Sequence, residues 1–449
     1  MIHVKKYINA LWSGSAELLL LLTVFLLPFQ TRWIFHVAER AGYAWEFGTR
    51  SFYIVDGLIV LAFLLTLLQW SPEKSARLKK YGLLFSSASL VLLASYLSFL
   101  FADNKSISGW WLWNVLLSIA FCFTLVMSRV SWTRLAWTVV AAMTLQAILA
   151  MAQWKLQAVL GNTWLGIAEQ FPENRGVQVV STLPYGRVLR PYGALPHPNI
   201  LAGYVTIGIW FATSLLDQVS KRSFKKREAK LALTLLLGMS LALQTSALWM
   251  TMSRSALLAL GITLIGVVLW HAIERQRLSQ AMVISVCSIA LPILILTWMF
   301  SWYVTPRAEG LLATETAPTL EQLSIEQRVS SMNHVLSAIE KKPLSGIGIG
   351  NATLKQAEPV HNVLLLIFHE TGLFGLMSVA LFGVSLAALL WNQWHESTHN
   401  RLMITTAGLI LATLFIIGLF DHYLWSLHAG SLLLWLCISS GFLAVDENA

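Results

Sequence analysis

Twelve apolar runs of roughly 17 to 25 residues, each about the length that crosses the hydrocarbon of a bilayer, constrain this chain more than any other feature. They lie near 11–29, 52–70, 81–102, 109–128, 135–156, 197–217, 231–251, 255–271, 281–303, 371–393, 402–420 and 424–443. A segment surrounded by lipid must satisfy its own backbone hydrogen bonds, so these runs predict helices and an all-α polytopic membrane protein of about 12 transmembrane helices. Composition agrees, because 56% hydrophobic and 12% charged residues are too apolar for a soluble domain of 449 residues. Cys122, Cys287 and Cys437 all fall inside apolar runs, which offers neither a disulfide framework nor a metal site. Lys5 and Lys6 precede the first run, and with no small-residue cleavage site after it the run reads as a retained helix.

The formal charge of +9 follows the loops and does not indicate nucleic acid. Threaded alternately from a cytoplasmic N-terminus, the spans put Lys74–Lys80, Arg129 and Arg134, Lys221–Lys230, and Arg275 with Arg277 inside, as the positive-inside rule requires. Two long loops, 157–196 and 304–360, are then periplasmic. No repeat or separate soluble domain interrupts residues 1–449, so one membrane domain is expected. In the second loop, Ser324-Ile-Glu-Gln327 has the form of a capping box, and Ile325, Val329, Met332, Leu336 and Ile339 recur at helical spacing. They predict an amphipathic helix over about 325–340, followed by the turn Gly346-Ile-Gly348-Ile-Gly350-Asn351.

His361-Asn362 leads the most informative segment, HNVLLLIFHETGLFG, in which Glu370 precedes a break at Gly372 and Gly375 follows. Interrupted helix at membrane depth must be buried in protein or line a wet cavity. No P-loop, dinucleotide fingerprint, HExxH or acidic cluster is present, so chemistry on the outer side needs a substrate that carries its own activation, with no metal or cofactor. The outer loops do hold arginines: Arg175, Arg187, Arg190, Arg254 in a Met-Ser-Arg-Ser corner, Arg307 and Arg328. Guanidinium forks converging on one cavity favour a phosphate-bearing ligand. The bland alternatives stay open: His361 also serves as a helix cap, Arg254 as a snorkelling headgroup contact, Arg328 as a solvated charge, and Arg190-Pro-Tyr-Gly193 with Pro196-His-Pro-Asn199 as a rigid lead-in to span six.

These segments together resemble the O-antigen ligase family. The resemblance rests on the RPYG and PHPN lead-in, the SRS corner, Arg328 on its amphipathic helix, the PLSGIGIGN turn, and His361-Asn362 with Gly372 and Gly375. It implies a GT-C-like bundle in a bacterial inner membrane, with its active site facing the periplasm. It further implies metal-independent transfer, with inversion, of a glycan from undecaprenyl diphosphate to a sugar hydroxyl of lipid A-core or another glycan acceptor. In that reading His361 is the general base. Arg190, Arg254 and Arg328 bind the donor diphosphate, while Asn362, Glu370 and His197 support them.

The wider superfamily also includes O-antigen polymerases and protein O-oligosaccharyltransferases. Arginine followed after ten residues by glycine, a pattern associated with the polymerases in both long loops, occurs here in the first long loop, as Arg175 and Gly186, and not in the second. The chain also ends directly after the last span. Both features favour the ligase. A transporter is the alternative of another class, but it would gather ionisable groups at the bilayer midplane on paired broken helices. Here they collect at the outer ends.

Overall fold

The computed structural model describes residues 2–182, 185–273, 279–305, 320–354, 356 and 358–446. Arg275, Arg277, Arg307 and the start of the second long loop lie outside the described residues. Helices occupy all twelve predicted runs, and the chain is 74% helical. Ten of the described helices are long and apolar enough to cross a membrane. An eleventh span results if Ile54–Leu68 and Pro72–Lys80, bent by 110° to one another, are taken together. The lower count has a physical reason. Ile54–Leu68 has only 15 residues, about 22 Å of helix, which is shorter than the roughly 30 Å of hydrocarbon.

Two helices form the centre. Pro198–Lys221 and His428–Asp446 are each 89% buried over their most apolar window, whereas Arg254–Ile273 at 22% and Gln280–Met299 at 11% leave apolar side chains to face lipid. At one end of the bundle, Asp446 receives Lys80 at 2.6 Å and Arg77 at 3.7 Å. At the other end the connections carry the only extended structure among the described residues. Arg32–His36 pairs antiparallel with Arg50–Tyr53, Glu39–Arg40 with Tyr43–Ala44, and Val179–Thr182 with Gly186–Leu189. The segment 27–53 between the first two spans is therefore a folded element of its own.

The amphipathic helix of the second loop runs Leu320–Lys341. It begins before Ser324, so Ser324 stands in its interior and the expected capping box does not open it. The helical run led by His361, Val363–Glu396, is broken at Gly372 into two parts, 363–371 and 373–396.

Candidate active site

The break in Val363–Glu396 is where the site is anchored. Gly372 adopts φ 68° and ψ −167°, a conformation open to glycine alone, inside an otherwise helical run. The break strands carbonyls, and the glycine turn supplies their donors: Ile347 N donates to His369 O at 3.1 Å and Gly348 N to Glu370 O at 3.0 Å. In return Leu373 N donates to Pro343 O at 2.8 Å, and Ser98 Oγ donates to Glu370 O at 2.7 Å. A Cβ on Gly372 would lie 2.1 Å from Leu344 O, and one on Gly346 2.3 Å from Glu370 O. The PLSGIGIGN segment is thus the complement of the helix break, and the interrupted backbone is buried in protein as lipid requires.

Asn362 caps the same helix. Its Oδ1 accepts from Leu365 N at 2.9 Å, and its Nδ2 donates to Leu419 O at 3.2 Å, tying the helix start to the chain just before Asp421. Glu370 points elsewhere. Its carboxylate accepts from Ala352 N at 3.2 Å and from Trp425 Nε1 at 2.8 Å, so it holds the turn and the 423–426 helix and makes no hydrogen bond to His361.

The first long loop is fixed by buried amides. Gln153 Oε1 accepts from Tyr192 N at 3.0 Å and Gly193 N at 2.8 Å, and Gln146 Oε1 accepts from Ala194 N at 2.8 Å. This non-helical RPYGA backbone is satisfied by side chains of Trp132–Leu156 where water is excluded. Pro198 then starts the next helix with His197 as N-cap, whose Nδ1 accepts from Asn199 N at 3.0 Å. Arg190 is buried at 4% exposure. Its Nε donates to Thr251 O at 2.6 Å, its Nη1 to Gln178 Oε1 at 3.3 Å and its Nη2 to Asn199 Oδ1 at 2.6 Å. It therefore pins the SRS corner, where Met252 turns left-handed at φ 50° and Arg254 opens the following helix.

From Asn199 the network continues to a residue that sequence reading passed over. Asn199 Nδ2 donates to Asp421 Oδ2 at 2.8 Å, while Asp421 Oδ1 accepts from His422 N at 2.8 Å. Around Asp421 stand three imidazoles. His361 meets His422 edge to face with ring centroids 5.0 Å apart, and His422 Nδ1 lies 2.6 Å from Ser426 Oγ. Burial, joined by the positive charge of neighbours that include Arg190 and Arg328, pushes His361 down to about 4 and His197 to about 3, and lowers His422. Burial opposes the charge of Asp421, but His422, His361 and His197 with the Asn199 hydrogen bond outweigh it and hold the carboxyl below its usual range. At neutral pH the cluster is one carboxylate among neutral imidazoles, and His361 is unprotonated and able to accept a proton.

Two cavities meet at this cluster and share His197, Asn199, Glu358 and His361. The larger, about 1390 Å³, is lined by Arg190, Arg254 and Arg328 with Glu326 and Glu358, under the Leu320–Lys341 helix. Of the sequence-selected residues, His361, His197 and all three arginines line it; Asn362 and Glu370 support its walls from behind. The smaller, about 420 Å³, lies on the other side of His361 and is lined by Arg32, Glu46, Tyr53, Trp110, Asp421 and His428 among others. Glu358, His361 and His422 also bring three ligand atoms within 4.8 Å of one another. That is a three-donor grouping the sequence inventory did not recognise, with Glu358 Oε2 3.9 Å from His361 Nε2.

The buried Asp56 has its partner as well. His428 Nε2 lies 2.7 Å from Asp56 Oδ1, and the His428 ring stacks on Tyr53 at 4.0 Å and 5°. The only local signals for these missed groups were polar residues at span ends: Asp421-His422 between two apolar runs, and His428 at the head of the last helix. Asp56 and His428 are 372 residues apart in sequence, which no local pattern reports.

Residues 237–380 match a family model described as O-antigen ligase. The match takes in the SRS corner, the Arg328 helix, the glycine turn and the His361 helix through Gly375. It agrees with the family that the motifs resemble and supports an O-antigen ligase or polymerase type of enzyme. A comparison with curated proteins found no match.

Proposed function

Taking the O-antigen ligase family as the chain's own, we propose that this protein transfers a glycan from undecaprenyl diphosphate to a sugar hydroxyl of lipid A-core on the periplasmic face. The observation that carries this reading is the position of His361 on the wall common to an arginine-lined cavity and a second, arginine-poor one. The donor diphosphate occupies the first cavity, between Arg254 on its corner and Arg328 on the helix above. Arg190, committed to three protein acceptors, contributes a fixed positive charge at its wall.

The acceptor hydroxyl approaches His361 from the other side. As the imidazole takes its proton, the oxygen attacks the anomeric carbon opposite the diphosphate. The bond from that carbon to the diphosphate oxygen breaks, and the arginines stabilise the departing charge. Attack from opposite the leaving group inverts the anomeric centre. Arginine takes the role that a divalent ion has elsewhere, so transfer proceeds in excess chelator. Residues 1–449 act as one membrane domain, with 157–196 and 304–360 as its periplasmic loops. A transporter reading has less support, because the ionisable groups of the site lie on loops and helix starts at one end of the bundle and not on paired broken helices at its midplane.

The test is purified protein with lipid-linked glycan and lipid A-core, chelator present, with donor binding measured separately. His361→Ala is expected to lower turnover by roughly 10²–10⁴-fold with donor binding retained. Arg254→Ala and Arg328→Ala are expected to weaken both, with lysine rescuing in part because it keeps charge and loses the fork. Near-normal transfer by folded His361→Ala protein would remove the base from that position.

A further inference from the structure

The smaller cavity differs in chemistry from the one holding the arginines. Its ionisable lining has Arg32 against Glu46, Glu358 and Asp421, and Arg32 is already committed, with Nη2 2.9 Å from Glu46 Oε2 and Nη1 3.0 Å from Tyr53 Oη. An anionic ligand is repelled there. The rest of the wall is aromatic faces interleaved with hydrogen-bonding groups: Phe47, Tyr53, Trp110 and Trp111 with Asn114 and His428. The Trp111 indole N–H is buried without a partner among the described residues. Flat faces beside donors and acceptors suit a pyranose ring, which offers C–H bonds on one face and hydroxyls around its edge. A volume of about 420 Å³ lies within the roughly 300–1,000 Å³ of small-molecule pockets.

Trp110 also belongs to a second surface. Its ring meets Phe35 at 5.5 Å and Phe52 at 5.6 Å, and those two rings stack at 5.0 Å, with Trp33 6.1 Å from Phe35. Trp33 is 69% exposed, and Phe35 and Phe52 are more than 40% exposed. An exposed aromatic shelf at the end of a transmembrane bundle is the composition of a membrane interface. It joins the cavity wall through one shared side chain, Trp110.

We infer that the cavity walled by Tyr53, Trp110 and His428 is the acceptor subsite. It takes an uncharged terminal sugar of a lipid-anchored glycan, whose apolar anchor lies along the Trp33–Phe35–Phe52 shelf. This rests on the transferase reading above. It adds where the acceptor sugar sits and the residues that select it as an uncharged ring.

The test is binding of lipid A-core, and of core oligosaccharide released from its lipid, to the full chain in nanodiscs without donor. Binding of undecaprenyl diphosphate-linked glycan is measured in parallel. Trp110→Ala is expected to weaken both acceptor probes by roughly three- to tenfold, Trp110→Phe to retain most of the affinity, and Tyr53→Phe to weaken both through loss of the Arg32 contact. Donor binding is expected to stay within about twofold throughout. Trp33→Ser with Phe35→Ser is expected to weaken lipid A-core and leave the released oligosaccharide unchanged. Acceptor binding indifferent to Trp110→Ala and Tyr53→Phe, donor binding that falls in step with it, or no lipid A-core binding by the wild-type chain overturns the subsite. Wild-type protein that binds lipid A-core through Trp110 yet transfers no glycan overturns the transferase reading and leaves the subsite standing.

Discussion

Gly372→Ala should unfold the site from a position that touches no substrate. The native φ of 68° with ψ of −167° lies in a region essentially restricted to glycine, costing a side-chain-bearing residue about 1–3 kcal/mol. The added Cβ would also stand 2.1 Å from Leu344 O and 2.7 Å from Gly346 N, both backbone atoms that cannot rotate away. Relief requires the glycine turn to separate from the break. That loses the contacts of Ile347 N with His369 O, Gly348 N with Glu370 O, and Leu373 N with Pro343 O, at about 1 kcal/mol net each. The expected destabilisation is therefore about 4–6 kcal/mol, a large part of the roughly 5–15 kcal/mol that holds a typical fold.

Thermal unfolding of the purified protein in detergent measures it, and transfer activity should fall with it, because His361 sits at the head of the same helix. Gly383→Ala is the control. Gly383 lies further along Val363–Glu396 with nothing within 4 Å of its added Cβ, so alanine should be neutral or stabilise by up to about 1 kcal/mol. A Gly372→Ala protein with the melting temperature and activity of the Gly383→Ala control would refute the interlock of turn and break.

Acid should loosen the site before the bundle. His361 and His197 titrate at about 4 and about 3 in the folded protein against 6.5 for an ordinary imidazole, so in that window the unfolded chain binds more protons. Stability is then lost as pH falls from 6.5 toward 4, and the depressed Asp421 carboxyl acts in the same direction. Melting temperatures between about pH 7.5 and 4.5 check this: the slope should be shallower in His361→Gln, and an unchanged slope would refute it. Topology is checked by impermeant thiol labelling of spheroplasts from a cysteine-free background. A cysteine at Glu173 is expected to react and one at Ser223 to stay protected; the reverse pattern would invert the threading.

What the sequence determined by itself was whatever depends on near neighbours. Spans are legible because burial in lipid demands a run of apolar side chains and internally bonded backbone, both properties of one segment. His361-Asn362 and Gly372 stood out for the same reason: a polar cap and a forbidden conformation are written at single positions. The RPYG lead-in was legible as a rigid segment, but its rigidity comes from Gln146 and Gln153, two turns apart on another helix.

Tertiary structure decided who faces whom. Glu370, the conspicuous acid near His361, bonds Trp425 and Ala352, while the carboxylates grouped with the histidine are Glu358, 3.9 Å from its Nε2, and Asp421, delivered by a turn between two later spans. Arg190 is bound up in holding the SRS corner, and Asp56 meets His428 across nearly the whole chain. Buried charge must find a partner, but which partner depends on how helices pack, and packing is settled by shape complementarity among residues far apart in sequence.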